Sequence, residues 1–231
     1  MEKSVLQPRV IAFIGTVGSG KSTHMKLLYS KLKQRGLKAK ASSLKTGHLF
    51  AFILEILLVK MIANKRKDVF PIRALVEERP NLFRRIFKLW LSLDLISLTI
   101  KFLFSIYFPL RLKHILLVEE FIPATISDYI YLARIINFPL KRNSFAINYL
   151  IRLMNLCTPA QIIFLDAKND ELKTRWKLRR SFNEREDYLQ MQRTLLLQIS
   201  RALSSNELIH VNTTSKTLTE TQELIMNRLL A

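Results

Sequence analysis

The feature that most constrains this chain is a glycine-rich loop at residues 15–22, whose letters GTVGSGKS fit the pattern GxxxxGK(S/T). The loop follows a short β-branched and aromatic run at residues 10–14 and precedes an apolar helical periodicity that starts at Met25. Three of the chain's five glycines lie in this one loop. Because backbone N–H groups must converge on an anion, a phosphate-binding loop needs this order of strand, glycines and helix. The sequence therefore predicts a phosphate-binding loop.

Each part of this loop has an expected role. Lys21, which we expect to face solvent, would neutralise the β- and γ-phosphate oxygens of ATP, and Ser22 would bind Mg²⁺. The N-terminus of the following helix would add its partial positive charge. The predicted ATP-binding residues are Gly15, Thr16, Val17, Gly18, Ser19, Gly20, Lys21, Ser22 and Thr23.

Short apolar runs alternate with amphipathic segments along the rest of the chain. The strands predicted after residues 10–14 are residues 37–44, 115–118, 161–165 and 208–211. The helices predicted after a first one that ends near Arg35 are residues 49–63, 81–108, 124–136, 144–157, 171–180, 185–203 and 218–230, with a charged turn at 65–68. This alternation predicts an α/β fold with a five-stranded parallel sheet flanked by helices. We expect a single domain over residues 1–231, with an apolar helical region on the acceptor side at 48–110 and a basic lid at 168–186.

The charge of the chain indicates a polyanionic partner. Its 37 Lys and Arg residues against 18 Asp and Glu residues give a formal charge of +19, which suits nucleotide phosphates, nucleic acid or an anionic membrane. No aromatic-interleaved basic stripe is visible, so no specific nucleic-acid partner is predicted. One cysteine and four histidines argue against a disulfide framework and a structural zinc site, and we expect a cytoplasmic protein.

Residues 89–110 form an apolar segment long enough to cross a bilayer, but Asp94 and Lys101 lie inside it and Pro109 is near its end. A spanning helix normally shows an uncharged run of about 18 residues or more, which this segment lacks. We therefore predict one or two buried helices that carry Asp94 and Lys101 on roughly the same face. The first nine residues have no apolar segment typical of a signal peptide, and none is expected.

With these parts placed, their order resembles the thymidylate kinase branch of the nucleoside monophosphate kinases. The letters FIGTVGSGKST at residues 13–23 resemble the family's phosphate loop, and in the stretch 163–193 the letters IFLDAKNDELKTRWKLRRSFNERE resemble its strand, arginine-bearing helix and lid. The resemblance covers most of the chain unevenly. It implies a P-loop kinase fold, a Mg²⁺ cofactor, and transfer of a phosphoryl group from ATP to dTMP, giving dTDP and ADP.

By this resemblance Arg175, Arg179 and Arg180 are lid arginines that reach the ATP phosphates and act in catalysis with Lys21. Permanently charged donors from several directions suit a lid that closes over a triphosphate, because charge grows on the transferring oxygens. The alternative is a solvated basic helix whose arginines form local ion pairs with neighbouring glutamates.

The acceptor side departs from the family. Where its members usually carry Asp-Arg-Tyr after the third strand, this chain has Glu119, Glu120 and Phe121. Glu119 can hold Mg²⁺ or its waters together with Ser22, whereas Glu120 reverses the charge of a substrate-contacting arginine. Val17 stands where the family often has an acid in the loop.

The predicted acceptor-binding residues are Lys45, Glu120 and Phe121. We expect their pocket between residues 44–50, 89–108 and 119–128, at the carboxyl ends of the strands. Because like charges repel, Glu120 should face a base, a sugar hydroxyl or an arginine such as Arg134 rather than an acceptor phosphate.

Three hypotheses of function remain open at this point. The first is a nucleoside monophosphate kinase, with dTMP as the default acceptor. The second is a small-molecule kinase on the same scaffold whose acceptor is less anionic, such as a sugar or a prenol-type lipid. The third is a non-catalytic or regulatory ATP-binding protein. ATP and a small-molecule acceptor are the expected partners, and a homodimer and a peripheral membrane contact are further alternatives.

Overall fold

The computed structural model describes residues 9–62, 71–179, 184–204 and 206–230. Five strands form one sheet in the order β2-β3-β1-β4-β5, and every neighbouring pair is parallel. The strands are β1 (Val10–Gly15), β2 (Ala39–Ser43), β3 (Ile115–Glu119), β4 (Ala160–Asp166) and β5 (Ile209–Asn212). The central strand β1 therefore places the glycine loop at the middle of the carboxyl edge of the sheet.

Helices connect the strands. In chain order they are α1 (Lys21–Gln34), α2 (Leu49–Ile62), α3 (Pro71–Glu78), α4 (Pro80–Phe102), α5 (Phe108–Arg111), α6 (Ile122–Ile135), α7 (Phe145–Asn155), α8 (Asn169–Leu178), α9 (Glu186–Met191), α10 (Leu197–Leu203) and α11 (Leu218–Leu230). Two π-helical turns, Leu103–Tyr107 and Gln192–Leu196, join α4 to α5 and α9 to α10. Residues 80–111 consequently form one long helical segment.

The hydrophobic core lies on both faces of the sheet because alternate strand residues point in opposite directions. Val10, Ala12 and Ile14 of β1 belong to the larger cluster, which also includes residues of α4, α6 and α7. Ile11 and Phe13 belong to the second cluster, which includes residues of α1 and α11. All five residues are fully buried, as expected for the central strand of a parallel sheet covered on both faces.

The predicted fold class, a five-stranded parallel sheet flanked by helices, is confirmed. Helix α3 (Pro71–Glu78) was not predicted, because its eight residues give too short a periodic pattern between a charged segment and the proline that opens α4. The charged turn predicted at residues 65–68 lies outside the described residues.

Helix α4 carries a polar stripe that holds the loop after β2. The Asp94 carboxylate accepts a hydrogen bond from the Gly47 N–H at 2.9 Å, and one turn further the Ser97 hydroxyl accepts one from the Phe50 N–H at 3.2 Å. Lys101 Nζ donates to His48 Nε2 at 2.6 Å. The prediction that Asp94 and Lys101 share one face is confirmed, and both side chains contact the same loop.

Among the described residues, the helical segment Pro80–Arg111 is long and apolar enough to cross a membrane, judged by length and composition only, and 39% of its most apolar window is buried inside the protein. A core helix of a soluble protein can pass the same test. The buried contacts of Asp94 and Ser97 with the loop after β2 are those of a core helix.

Candidate functional site

The phosphate loop is shaped by glycines at positions where a side chain has no room. Gly15 ends β1 at φ 131°, and a Cβ there would lie 1.9 Å from the Leu165 carbonyl oxygen of the adjacent strand. Gly18 has φ 88°, and its Cβ would lie 2.6 Å from Trp176 Nε1 of α8. Both constraints combine a positive φ with close approach of a neighbouring element. The loop is therefore wedged between β4 and α8.

Lys21 is the first residue of α1, and its ammonium group is held beneath the loop. Its Nζ donates to the carbonyl oxygens of Gly15 and Thr16, each at 3.0 Å, and lies 3.1 Å from the Glu120 carboxylate. The side chain is only 7% exposed, so the expectation that Lys21 faces solvent is wrong. The fold at the carboxyl edge of the sheet buries this lysine and pairs its ammonium group with two carbonyl oxygens and a carboxylate.

Ser22 and Glu119 lie side by side, as predicted for a magnesium site. The Ser22 hydroxyl donates a short hydrogen bond to Glu119 Oε1 at the end of β3. A hydroxyl and a carboxylate are the oxygen ligands that Mg²⁺ accepts when phosphates and water complete its octahedral shell. The donor set fits Mg²⁺ that is also bound by phosphate and water. Within the described part of the chain, no group of three or more His, Cys, Asp or Glu side chains could hold a metal ion.

The loop is braced from the carboxyl end of β4, by residues that sequence reasoning missed. Thr16 Oγ1 donates to Asp166 Oδ1 at 2.9 Å, and the Arg193 guanidinium donates to both oxygens of Asp166 at 3.0 and 3.1 Å. Gln192, the residue before Arg193, accepts a hydrogen bond from the Val17 N–H at 3.1 Å. Asp166 could have been suspected from its place at a strand end, but Gln192 and Arg193 carry no sequence signal.

The two contacts come from the first two residues of the π-helical turn Gln192–Leu196. Here both Gln192 and Arg193 reach the same end of the sheet, one to the loop and one to Asp166. Single π turns are often found at functional sites.

Helix α8 packs directly on the loop through an indole ring and an arginine. Trp176 Nε1 donates to the Val17 carbonyl at 3.2 Å, and its side chain is almost fully buried. Arg175 donates to the Gly18 carbonyl at 3.3 Å and to the side chain and carbonyl of Thr213, both at 3.0 Å. It also pairs with Glu171 one turn earlier.

The three predicted lid arginines therefore differ in position. Arg175 braces the loop, and its ion pair with Glu171 is the local pairing that the alternative interpretation expected. Arg179, next to the end of α8, lines the cavity beside the loop. Arg180 lies outside the described residues. A role of these arginines at the ATP phosphates stays a prediction.

A cavity of about 560 Å³ opens beside the phosphate loop. Its loop side includes Gly18, Lys21 and Ser22, and its far side includes apolar and aromatic residues of α2, α3 and α6. The lining residues outside the loop are Lys45, Thr46, Gly47, His48, Leu49, Phe52, Glu55, Ile72, Glu119, Glu120, Asp128, Tyr131, Leu132, Arg179, Glu184, Tyr188 and Gln192. This cavity is the candidate site for a phosphoryl donor and a small acceptor.

Two of the three boundaries predicted for the acceptor pocket match this cavity. Residues 44–50 and 119–128 contribute to its wall, as expected, but the third wall comes from Glu55 of α2 and Ile72 of α3 rather than from residues 89–108. Helix α4 is one layer removed, because its polar stripe binds the loop that forms the wall.

The predicted acceptor residues fall into different places. Lys45 lines the cavity, and so does Glu120, which pairs with the Lys21 ammonium group. Phe121 is fully buried in the larger hydrophobic cluster, so its predicted contact with the acceptor does not match its position. The aromatic residues that do line the cavity include Phe52, Tyr131 and Tyr188, which no motif singled out.

Two buried acids lie in the cavity wall or directly behind it. Glu55 accepts a hydrogen bond from Trp90 Nε1 at 2.9 Å, and burial raises the pKa of its carboxyl from 4.5 to about 7. Asp94 accepts one from the Tyr129 hydroxyl at 2.7 Å, and burial raises its pKa from 3.8 to about 6. The negative charge of Asp94 also favours the protonated form of Glu55.

His48 lines the cavity and is hydrogen-bonded to Lys101 of α4. Burial and the positive charge of Lys101 lower the pKa of this imidazole from 6.5 to about 4. The neutral ring then accepts the hydrogen bond from the Lys101 ammonium group. Near neutral pH this part of the wall is held by an uncharged imidazole and a lysine.

The sheet order, the glycine loop between β1 and α1, and the Ser22–Glu119 contact together define an α/β protein of the P-loop class. No family model matches the sequence, and no curated protein matches it either. Similar solved structures include two thymidylate kinases, the family that the sequence motifs resemble.

The thymidylate kinase from Candida albicans has 15% sequence identity and a TM-score of 0.47, over 96% of this chain and 90% of that one. The thymidylate kinase from Ehrlichia chaffeensis has 16% identity and a TM-score of 0.42, over 96% of this chain and 98% of that one. A likeness this distant identifies neither a family nor a substrate for this chain.

Proposed function

We propose that the chain is an ATP-dependent phosphotransferase that acts on a small molecule. The observation that carries this proposal is the convergence of Lys21, Ser22 and Glu119 at the carboxyl edge of the sheet, next to a cavity of about 560 Å³. A loop that only shaped a turn would not need a buried lysine and a paired strand-end carboxylate at the same point.

In this function each residue acts on phosphate oxygens or on their counter-ion. Lys21 exchanges its Glu120 partner for the β- and γ-phosphates, and the backbone N–H groups of the loop and of the start of α1 bind the same anion. Ser22 and Glu119 would hold Mg²⁺, which neutralises phosphate charge when bound. Arg179 reaches the transferring phosphoryl group from the cavity side, where negative charge develops.

The first candidate acceptor is a nucleoside monophosphate, with dTMP converted to dTDP as the family default. Support comes from the resemblance of residues 13–23 and 163–186 to thymidylate kinases. The cavity also offers aromatic rings, Tyr131 and Tyr188, whose centroids are 5.0 Å apart and against which a flat base could pack.

The second candidate is an acceptor that presents a hydroxyl group rather than a phosphate. One observation favours it: Glu120, at the position of a substrate-contacting arginine, places a carboxylate 3.1 Å from Lys21 Nζ. A phosphate acceptor would meet this negative charge close to the point of transfer.

The direct test is turnover of ATP with Mg²⁺ against a panel of nucleoside monophosphates, sugars and prenols, followed by ADP release and by product mass. We expect at least one acceptor to gain 80 Da, the mass of one phosphoryl group, and the reaction to stop when EDTA removes the metal. Failure of the natural protein to bind ATP with Mg²⁺ would contradict the proposal, and binding without turnover on any acceptor would favour the regulatory alternative.

The helical segment 80–111 has an apolar stripe of exposed side chains: Leu89, Ile96, Phe104 and Phe108 are 55%, 51%, 65% and 48% exposed. Basic residues flank this apolar stripe at both ends, and the charge of the whole chain is +19. We propose that the stripe lies on an anionic membrane surface, because the basic residues that flank it complement the negative charge of that surface. In a homodimer formed through the stripe, the same positive charges would face each other and repel. A cytoplasmic location stays a prediction.

A further inference from the structure

Glu120 is aimed at the reaction centre by an unusual backbone conformation. It follows Glu119 at the end of β3 and has φ 53°, in the left-handed region that glutamate rarely adopts. Successive strand residues point to opposite faces of a sheet, so an extended Glu120 would turn away from its neighbour. The left-handed turn instead lets Glu119 reach Ser22 and Glu120 reach Lys21.

The conformation is held by the surrounding structure. The Glu120 N–H donates to the Phe13 carbonyl of β1 at 3.0 Å, so its backbone is tied to the central strand. The next side chain, Phe121, is anchored in the hydrophobic core and its residue caps the start of α6. A strained residue that its surroundings hold in place at a candidate site is a reason to look for a function there.

The chemistry of the acceptor decides what this carboxylate can do. A phosphate acceptor attacks as an oxyanion near neutral pH and needs no base, because it has already lost the proton. A hydroxyl acceptor keeps its proton until the attack and gains from a carboxylate that accepts it. Glu120 Oε1 lies 3.1 Å from the lysine expected at the transferring phosphoryl group. The Glu120 side chain is 19% exposed and lines the cavity.

We propose that Glu120 is the general base of the reaction, and that the acceptor is a small molecule whose attacking group is a hydroxyl. This inference rests on the proposed phosphotransferase function. The acceptor oxygen forms a bond to the γ-phosphorus while the bond from that phosphorus to the β,γ-bridging oxygen breaks. The hydroxyl proton passes to the Glu120 carboxylate and then to solvent, and ADP leaves with its own terminal oxygen charged.

The role of Lys21 links donor binding to this base. Without ATP the two side chains neutralise each other in a largely buried position. When ATP supplies phosphate oxygens to Lys21, the carboxylate loses its partner and becomes available to the acceptor. The base is therefore released only when the donor is bound.

The test uses water as the simplest hydroxyl acceptor. The full-length protein, Glu120→Gln, Glu120→Asp and the exposed control Glu223→Gln are compared for ADP release from ATP with Mg²⁺ and for affinity towards a fluorescent ATP analogue. We expect Glu120→Gln to lower hydrolysis by about 10²-fold or more, with analogue affinity equal or tighter because Lys21 is freed. Glu120→Asp should recover part of the rate, and Glu223→Gln should match the natural protein.

A second pair of probes, thymidine and dTMP, differs only in the phosphate group. The proposal would be overturned if the natural protein and Glu120→Gln phosphorylated dTMP at the same rate. It would also be overturned if ATP hydrolysis in Glu120→Gln were equal to or faster than in the natural protein. Either result would leave the phosphotransferase function intact, because ATP turnover itself would persist. If the natural protein did not bind the ATP analogue at all, the proposed phosphotransferase function itself would be contradicted.

Discussion

At the residue scale, the buried acids behind the cavity make the clearest electrostatic prediction. The pKa of Glu55 is raised by burial to about 7, and the group is 2% exposed. Between its unfolded pKa near 4.5 and this value, the folded state binds more protons than the unfolded state. The contribution of Glu55 to stability is therefore present at acid pH and is lost as the pH rises through about 7.

Glu55→Gln removes this titration while an amide oxygen can still accept from Trp90. We expect the variant to be more stable than the natural protein at pH 8, by on the order of 2–3 kcal/mol, and by much less near pH 5. Urea denaturation at the two pH values measures the difference. The exposed Glu223→Gln is the control for the substitution itself. A Glu55→Gln effect of equal size at both pH values would contradict the raised pKa of Glu55.

The sequence predicted the residues of the loop but not all of their surroundings. Gly15 to Ser22, with Glu119 at a strand end, could be assigned because a phosphate loop has a fixed local order of residue types. The burial of Lys21 and its pairing with Glu120 depend on how β1, β3 and α1 meet in space. No local sequence pattern encodes how these elements pack together. The contacts of Gln192 and Arg193 with the loop and with Asp166 depend in the same way on tertiary packing.

At the element scale, strands and most helices followed from apolar periodicity. Five strands were expected and the same five are present, because buried parallel strands give short continuous apolar runs. The short α3 gave too little pattern. The position of α4 behind the acceptor wall could not be derived either, since its polar residues Asp94 and Lys101 show which face is polar but not what that face meets.

Helix α8 also carries a prediction about catalysis. Arg179 lines the cavity, whereas Lys177, also exposed, is absent from its wall. If Arg179 meets charge that grows in the transition state, Arg179→Ala should lower kcat by about 10²-fold and change KM for ATP much less. Steady-state kinetics with the acceptor identified by the panel would measure this, with Lys177→Ala as the matched control. Unchanged kcat in Arg179→Ala would return the residue to the solvated-helix interpretation.

At the scale of the whole molecule, the exposed apolar stripe of the helical segment 80–111 and the charge of +19 suggest a place on an anionic surface. We expect the protein to sediment with vesicles that contain phosphatidylserine and not with vesicles of phosphatidylcholine alone, and to be released by high salt. The double variant Ile96→Ser with Phe104→Ser should lose this binding.

Leu218→Ser is the control for that measurement, because Leu218 is 48% exposed but lies on α11, on the opposite face of the sheet. Light scattering of the same variants measures their oligomeric state and so tests the alternative that a second copy of the chain covers the stripe. A natural protein that forms a homodimer, ignores both kinds of vesicle, and becomes monomeric in the double variant would show that a second copy covers the stripe.

The central claim is that the glycine loop and Lys21 bind ATP for phosphoryl transfer. It is tested most directly by ATP turnover and ATP-analogue affinity of Lys21→Ala, compared with Lys26→Ala, which removes an exposed lysine from the same helix. We expect turnover to disappear and affinity to fall in a folded Lys21→Ala protein, with Lys26→Ala unchanged. Turnover that persists undiminished in folded Lys21→Ala would contradict the account.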